Sequence, residues 1–340
     1  MRISAEKRRS LELYILKKIK EGTPSLAAYV SSSLDIDQST VYRYIKELEH
    51  SGTIKKEGRG KYCLTERLCS YALSRENGDF VSDTLAYDRY IYPLVRQLPD
   101  NVVSIWAYVI SEMTNNVIDH SEADHAYLSV RQDALETTVA LKDNGIGIFR
   151  KIADHFGMTD LSDAVTELFK GKLTTNPQYH SGEGIFFSSR MMDEFMILSD
   201  GKIFSCNAFN EDMLSAAPAP DQPGTVVVMT LSNASKRSPA EVFDLYADVD
   251  GGFTRTMIPL VQVFPSAPVS RSQAKRICER LDSFKEVTLD FAGTDWVGQG
   301  FAHELFSVYA KKHPEVKLIP VNMSASVEKM YRHVKEGKES

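Results

Sequence analysis

The strongest constraint on this chain is the order of four short signals between residues 100 and 232. A helical stretch near 102–120 carries Glu112 and Asn116, and a strand then runs into Asp143-Asn144-Gly145-Ile146-Gly147. Further on, Gly182-Glu183-Gly184 opens another helix, and Gly224-Thr225 leads into the strand 226–231. Helical spacing puts Glu112 and Asn116 on one face about 6 Å apart, with Asp119 a turn further on. Between helix and glycines, the stretches 126–131 and 137–142 read as paired strands. Taken singly these parts are ordinary: Asn-Gly is a common turn dipeptide, and Glu112 with Asn116 fits a helix face in water. Their order is what restricts the fold.

The 340 residues are too many for one core and suit two or three domains. A composition 43% hydrophobic and 25% charged excludes a largely disordered chain. No apolar run approaches the roughly 18 residues of a membrane span. The start, Met1-Arg2-Ile3-Ser4-Ala5-Glu6-Lys7, has no apolar signal core. Cys63, Cys69, Cys206 and Cys278 form no CxxC pair, which argues against a disulfide framework or structural zinc. A cytoplasmic protein with no membrane partner is the expectation.

Charge is uneven. Residues 1–66 hold 13 Lys/Arg against 9 Asp/Glu, a charge of +4, which leaves −10 for the remainder of a chain at −6. A basic end on an acidic chain fits nucleic acid, and fits equally a merely solvated surface. Leu11, Ile15, Leu16 and Ile19 recur at helical spacing up to Gly22-Thr23-Pro24. A short helix follows, and a third helix starts after Asp37, with Val41, Ile45 and Leu48 as its apolar stripe. Opposite that stripe stand Ser39, Thr40, Tyr42, Arg43 and Lys46, groups suited to phosphates and base edges. Two short strands flank the tip Glu57-Gly58-Arg59-Gly60, with Lys61 beside it. Three helices and a basic hairpin, "STVYRYIKELEHSGTIKKEGRGKYCLT", resemble the winged helix-turn-helix family over residues 1–66. The resemblance implies DNA binding through the seven residues Ser39, Thr40, Tyr42, Arg43, Lys46, Arg59 and Lys61; protein-interaction modules share the same fold. Residues 67–100 read as a connector with the first helices of the next domain.

Residues 101–232 are similar to the Bergerat-fold (GHKL) ATPases, the class shared by gyrase, heat-shock chaperones, mismatch-repair ATPases, histidine kinases and anti-sigma kinases. "EMTNNVIDH" resembles their N box, "DNGIGI" and "SGEGIFFSSRMMDEF" their two glycine boxes, and "GTVVVMTL" their terminal Gly-Thr strand. The resemblance implies an α/β sandwich that binds ATP with Mg²⁺. Asp143 would accept a hydrogen bond from the adenine amino group, Gly145 and Gly147 would let the backbone approach, and Asn116 would ligate Mg²⁺. Glu112 would be the general base. Asp119 matches an acidic position of the gyrase version, and Thr225 would support the Asp143 carboxylate or an adenine-side water. The stretch 149–181 is the expected lid, where Lys172, Thr174 and Thr175 would meet phosphates, and Gly182 and Gly184 would turn helix-start N–H groups toward them. Water as acceptor gives an ATPase; a protein serine or threonine gives a kinase of the anti-sigma type. A sensor kinase is disfavoured because no histidine occurs between His50 and His120.

Strand and helix alternate again after Pro268, implying a small α/β sheet. "LDFAGTDWVGQGFAHELF" resembles the STAS-like domain of uncharacterised function DUF4325, with the domain drawn over 253–340. In anti-anti-sigma relatives the loop after this strand holds a phosphorylated serine; here Asp295-Trp296-Val297-Gly298 has no hydroxyl. The fold class expected is therefore multidomain α/β: a winged helix-turn-helix, a Bergerat α/β sandwich and a small STAS-like α/β domain. The expected function is a bacterial signalling or transcriptional regulator, in stress or phage defence, in which nucleotide state gates binding of DNA or of a protein partner at the STAS-like domain. A Ser/Thr kinase and a non-catalytic nucleotide-sensing scaffold are the alternatives, and a second copy of the chain is a further candidate partner.

Overall fold

Leu11, Ile15, Leu16 and Ile19 bury one stripe of helix α1 (Ala5–Lys20) against α2 (Leu26–Leu34) and α3 (Gln38–His50). A computed structural model of the chain describes residues 5–173, 182–206, 223–248, 252–264 and 266–336. Asp37 caps α3 as its sequence predicts, accepting from Ser39 N at 2.9 Å. Strands β1 (Ile54–Gly58) and β2 (Lys61–Leu64) close this N-terminal unit as an antiparallel hairpin. Its apolar core is separate from that of the rest of the chain, and the one buried residue it takes from elsewhere is Leu135.

The stretch expected as a connector contains a strand, β3 (Arg67–Ser74), which pairs antiparallel with β4 (His125–Gln132) over its whole length. Between them come α4 (Asp83–Ala86), a π-helical turn Tyr87–Ile91, α5 (Tyr92–Val95) and the long α6 (Asp100–His120). Helix α6 buries Val102, Ile105, Trp106, Val109, Ile110, Met113 and Val117. That stripe recurs every three or four residues, as a helix packed on one side requires. The next strand, β5 (Glu136–Asp143), alternates buried and half-buried positions and ends with Asp143 buried.

The expected lid begins as two packed helices. Helix α7 (Ile148–Phe156) buries Phe149, Ile152 and Ala153, and α8 (Leu161–Lys170) buries Ala164, Leu168 and Phe169. Their 3–4 spacing of apolar residues was present in the sequence and accounts for the order. Helix α9 (Gly184–Met191) follows, then β6 (Glu194–Ser199), β7 (Lys202–Ser205) and β8 (Thr225–Ser232). The sheet runs β3-β4-β5-β8-β6-β7, antiparallel throughout, and its strands deliver the ends of β5 and β8 to the same place.

Helix α10 (Pro239–Tyr246) occupies a stretch that reads as merely polar; Ser238 and Glu241 form a capping box at its start. The C-terminal sheet is parallel, with β10 (Glu286–Asp290) between β9 (Arg255–Pro259) and β11 (Lys317–Val321). Around it lie α11 (Leu260–Val263), α12 (Arg271–Cys278), α13 (Gln299–His303), a π-helical turn Glu304–Tyr309, α14 (Ala310–Lys312) and α15 (Ala325–Glu336). The helix expected over 270–284 stops at Cys278: Glu279 leaves the helical region at ψ 129°, and Arg280 then turns left-handed at φ 60°. Phe301 is buried, whereas Trp296 is 49% exposed. One continuous apolar cluster runs from Leu73 to Val334 and joins the two sheets' units. Among the described residues no helix is long and apolar enough to cross a membrane.

Candidate functional site

A cavity of about 320 Å³ opens between α6, α7, the start of α9 and the ends of β5 and β8. That volume lies at the small end of small-molecule sites. Its apolar walls include Leu141, Ile148, Ile152, Ile197 and Val227, and its polar groups include Asp143, Asn116, Glu112, Glu183 and Lys151. Three carboxylates face one lysine there, so an anionic ligand needs a cation with it.

Asp143 is 6% exposed, and its Oδ1 accepts from Gly145 N at 2.8 Å and from Thr225 N at 3.2 Å. Among the described residues no protein donor meets Oδ2. Burial pushes the carboxyl above its ordinary range, and the two N–H donors pull it back only in part. Thr225 supports this carboxylate through its backbone, while its hydroxyl accepts from Ile148 N at 3.1 Å at the start of α7. The pairing of β5 with β8 is what brings Thr225 to Asp143 across 82 residues. Gly147, the cap of α7, lines the same end of the cavity.

At the other end, Glu112 and Asn116 of α6 face Gly182, Glu183 and Gly184. Gly184 comes close to Glu112: a Cβ there would overlap Oε2, so the carboxylate would have to move aside. Asn116 turns Nδ2 toward Met113 Sδ at 4.0 Å, leaving its amide oxygen as the hard donor on that wall. No cluster of three or more His, Cys, Asp or Glu suited to a metal occurs among the described residues. Tyr108, one turn before Glu112, is held above its ordinary pKa by burial first and then by Glu112 and Glu183.

The expected site residues divide. Glu112, Asn116, Asp143, Gly147, Gly182, Gly184 and Thr225 meet at one cavity, and Gly145 stands beside it as a donor to Asp143. Asp119 is exposed on α6 and is not among the lining residues. Lys172, expected at phosphates, instead donates to Ser283 O at 2.7 Å and lies over the rings of Phe284 and Phe253, at 4.7 and 5.5 Å from their centroids. Its neighbours Gly171 and Leu173 line the cavity in its place. Thr174 and Thr175 fall outside the described residues. Lys151 and Glu183 were missed. Lys151, donating to His120 O at 2.7 Å, stands one turn past the first glycine pair, and that spacing was a readable signal. Glu183 lies between two glycines already singled out.

On the N-terminal unit, Ser39, Tyr42, Arg43, Lys46, Arg59 and Lys61 are exposed and Thr40 is half-buried. Arg43 lies 3.9 Å from Glu47 and over the Tyr44 ring at 5.4 Å, so part of its charge is already engaged.

Residues 273–328 match a family described as a STAS-like domain of unknown function, DUF4325. The match covers most of the parallel-sheet unit and excludes the cavity. No curated protein matches the chain.

Proposed function

We propose that the cavity binds ATP, that the six-stranded unit is a Bergerat-type module which hydrolyses it, and that the N-terminal unit is a winged helix-turn-helix that binds DNA under control of nucleotide state. The observation that carries this reading is Asp143. A carboxylate with one oxygen sealed by Gly145 and Thr225 and the other turned to an apolar-walled cavity is an acceptor for an exocyclic amine. Guanine presents a carbonyl at that position and would leave the buried acceptor unpaired, which discriminates strongly.

At the opposite end, the start of α9 offers helix N-terminal N–H groups to an anion. Asn116 would hold Mg²⁺, and the ion would supply charge neutralisation to phosphates that otherwise face Glu112 and Glu183. Glu112, close beside Gly184, would accept a proton from water in the transition state. The apolar wall excludes bulk solvent from the base end, and Asp143 orients the ligand so that its phosphates reach α9. Exposed Arg43, Lys46, Arg59 and Lys61 support the DNA assignment, since such groups neutralise phosphates.

Calorimetry with Mg²⁺ tests the reading. ATP should bind and GTP should not, and Asp143→Asn should weaken ATP at least about tenfold, the loss of roughly one charge-assisted hydrogen bond. Equal affinity for ATP and GTP would overturn it. On the same preparation, Glu112→Ala should leave ATP affinity nearly unchanged and reduce phosphate release by about 10²-fold or more.

A further inference from the structure

The wall of the cavity at 171–173 is tied to a unit that contributes no lining residue to it. Lys170, the last residue of α8, has its carbonyl bonded by Thr256 Oγ1 at 2.7 Å, and its ammonium reaches Arg276 O and Glu279 O, both at 2.8 Å. Two residues on, the Lys172 carbonyl accepts from Arg280 Nη2 at 2.5 Å, and Lys172 Nζ donates to Ser283 O. Arg280 uses its other arm, Nη1, on Glu167 Oε2 at 2.6 Å, and Glu167 is also the partner of Lys170. A planar guanidinium bridges two acceptors in this way; an ammonium is a single point.

The backbone held by these bonds is not one the chain adopts unaided. Gly171 lies at φ 82°, ψ −175°, a region populated essentially by glycine, and Lys172 is left-handed at φ 53°. Such a conformation persists where its surroundings over-determine it, and here the surroundings come chiefly from residues 256–283. Leu173 N then bonds Gly182 O at 3.1 Å, which passes the wall's position to the start of α9.

We infer that Arg280 is a positioning residue for the cavity: by holding the Lys172 carbonyl it fixes the 171–173 wall in the shape that receives the anionic end of the ligand, so the C-terminal unit sets affinity at a site it does not line. The inference rests on the nucleotide reading for the identity of the ligand. Binding and grip are reciprocal, so ATP must in turn tighten the contacts around Arg280.

The test uses the full chain. Arg280→Ala and Arg280→Lys are compared with wild type for ATP affinity by calorimetry with Mg²⁺, and for hydrogen exchange in peptides covering 170–173 without ligand. Arg280→Ala should weaken ATP about fivefold or more and speed exchange at 170–173, with exchange in β5 and β8 unchanged. Arg280→Lys keeps the charge beside Glu167 but not the fork; it should weaken ATP as well, whereas a merely structural charge would be rescued. Unchanged affinity in both variants, or unchanged exchange at 170–173, would overturn the inference. If wild type binds no ATP the nucleotide reading fails by itself. Exchange then decides for Arg280: faster at 170–173 in Arg280→Ala supports it, and unchanged exchange overturns it.

Discussion

The cavity unit has two flanks, and they are attached by different physics. On the C-terminal side the apolar cluster is continuous: Phe253 packs at 4.7 Å from Phe186 and 5.0 Å from Phe187, ring centroid to centroid. Two charges nearly free of solvent, Lys170 and Glu167, reach across the same junction to the Arg276 and Glu279 carbonyls and to Arg280. On the N-terminal side the unit keeps its own core and meets the sheet at Leu135 and at Lys20, whose ammonium lies 2.5 Å from Glu136 and 3.8 Å from Asp133. The first attachment makes the flank part of the cavity's fold. The second leaves a body that is docked but not dependent.

The sharpest way to break this contrast is deletion. Removing 253–340 should abolish ATP binding and the cooperative unfolding transition, because it exposes the shared core and strands Lys170. Removing 1–66 should leave ATP affinity within about twofold, as expected for sites without shared partners, while eliminating DNA binding. Calorimetry and thermal unfolding on both truncations check this, and equal damage from the two would erase the distinction.

A smaller effect comes from Lys170→Met. It removes one member of a buried pair and should destabilise by about 3–5 kcal/mol in denaturant unfolding, with both units still melting together.

The pH dependence comes next. Burial raises the Asp143 carboxyl, so its ionised form costs stability: this group's contribution improves as pH falls from the raised pKa toward the ordinary carboxylate range. Under the nucleotide proposal ATP needs the ionised acceptor, so affinity should fall over that same descent, opposite in sign to stability. Asp143→Asn should show neither trend, which titrations by calorimetry and unfolding at each pH would reveal.

The smallest effect belongs to Lys20→Met. Its side chain is 41% exposed, and the junction should lose no more than about 1 kcal/mol. A loss as large as that of Lys170→Met would mean that the N-terminal unit is as integral as the C-terminal one.

What was readable in the sequence follows the same division between local and distant causes. The helix bearing Glu112 and Asn116, the strand ending at Asp143 and the cap at Asp37 all rest on short-range periodicity or side-chain-to-backbone bonds, and all were legible. Strand β3 was not, because an edge strand with half its residues exposed has a weak alternation. Helix α10 was passed over although Ser238 and Glu241 spelled out its start. The stretch expected as a lid begins as helices α7 and α8, whose apolar spacing was legible in the sequence. Lys172 was beyond reach: its partner Ser283 is 111 residues away, and nothing local to Lys172 distinguishes a lysine aimed at phosphate from one aimed at a carbonyl.

The joint between hairpin and sheet bears on how a signal would travel. Strand β2 ends at Leu64, Thr65 N is still bonded to Thr53 O at 3.0 Å, and β3 begins at Arg67. Glu66 alone is slack, a reach of about 3.4 Å. A rotation of the N-terminal unit therefore has no tether to absorb it and acts as torque on the sheet's edge, with Leu135 as a second pivot on the adjoining turn. Two such pivots fix a hinge axis rather than a swivel. A flexible spacer inserted at Glu66 would leave both bodies folded and disengage the gear between them.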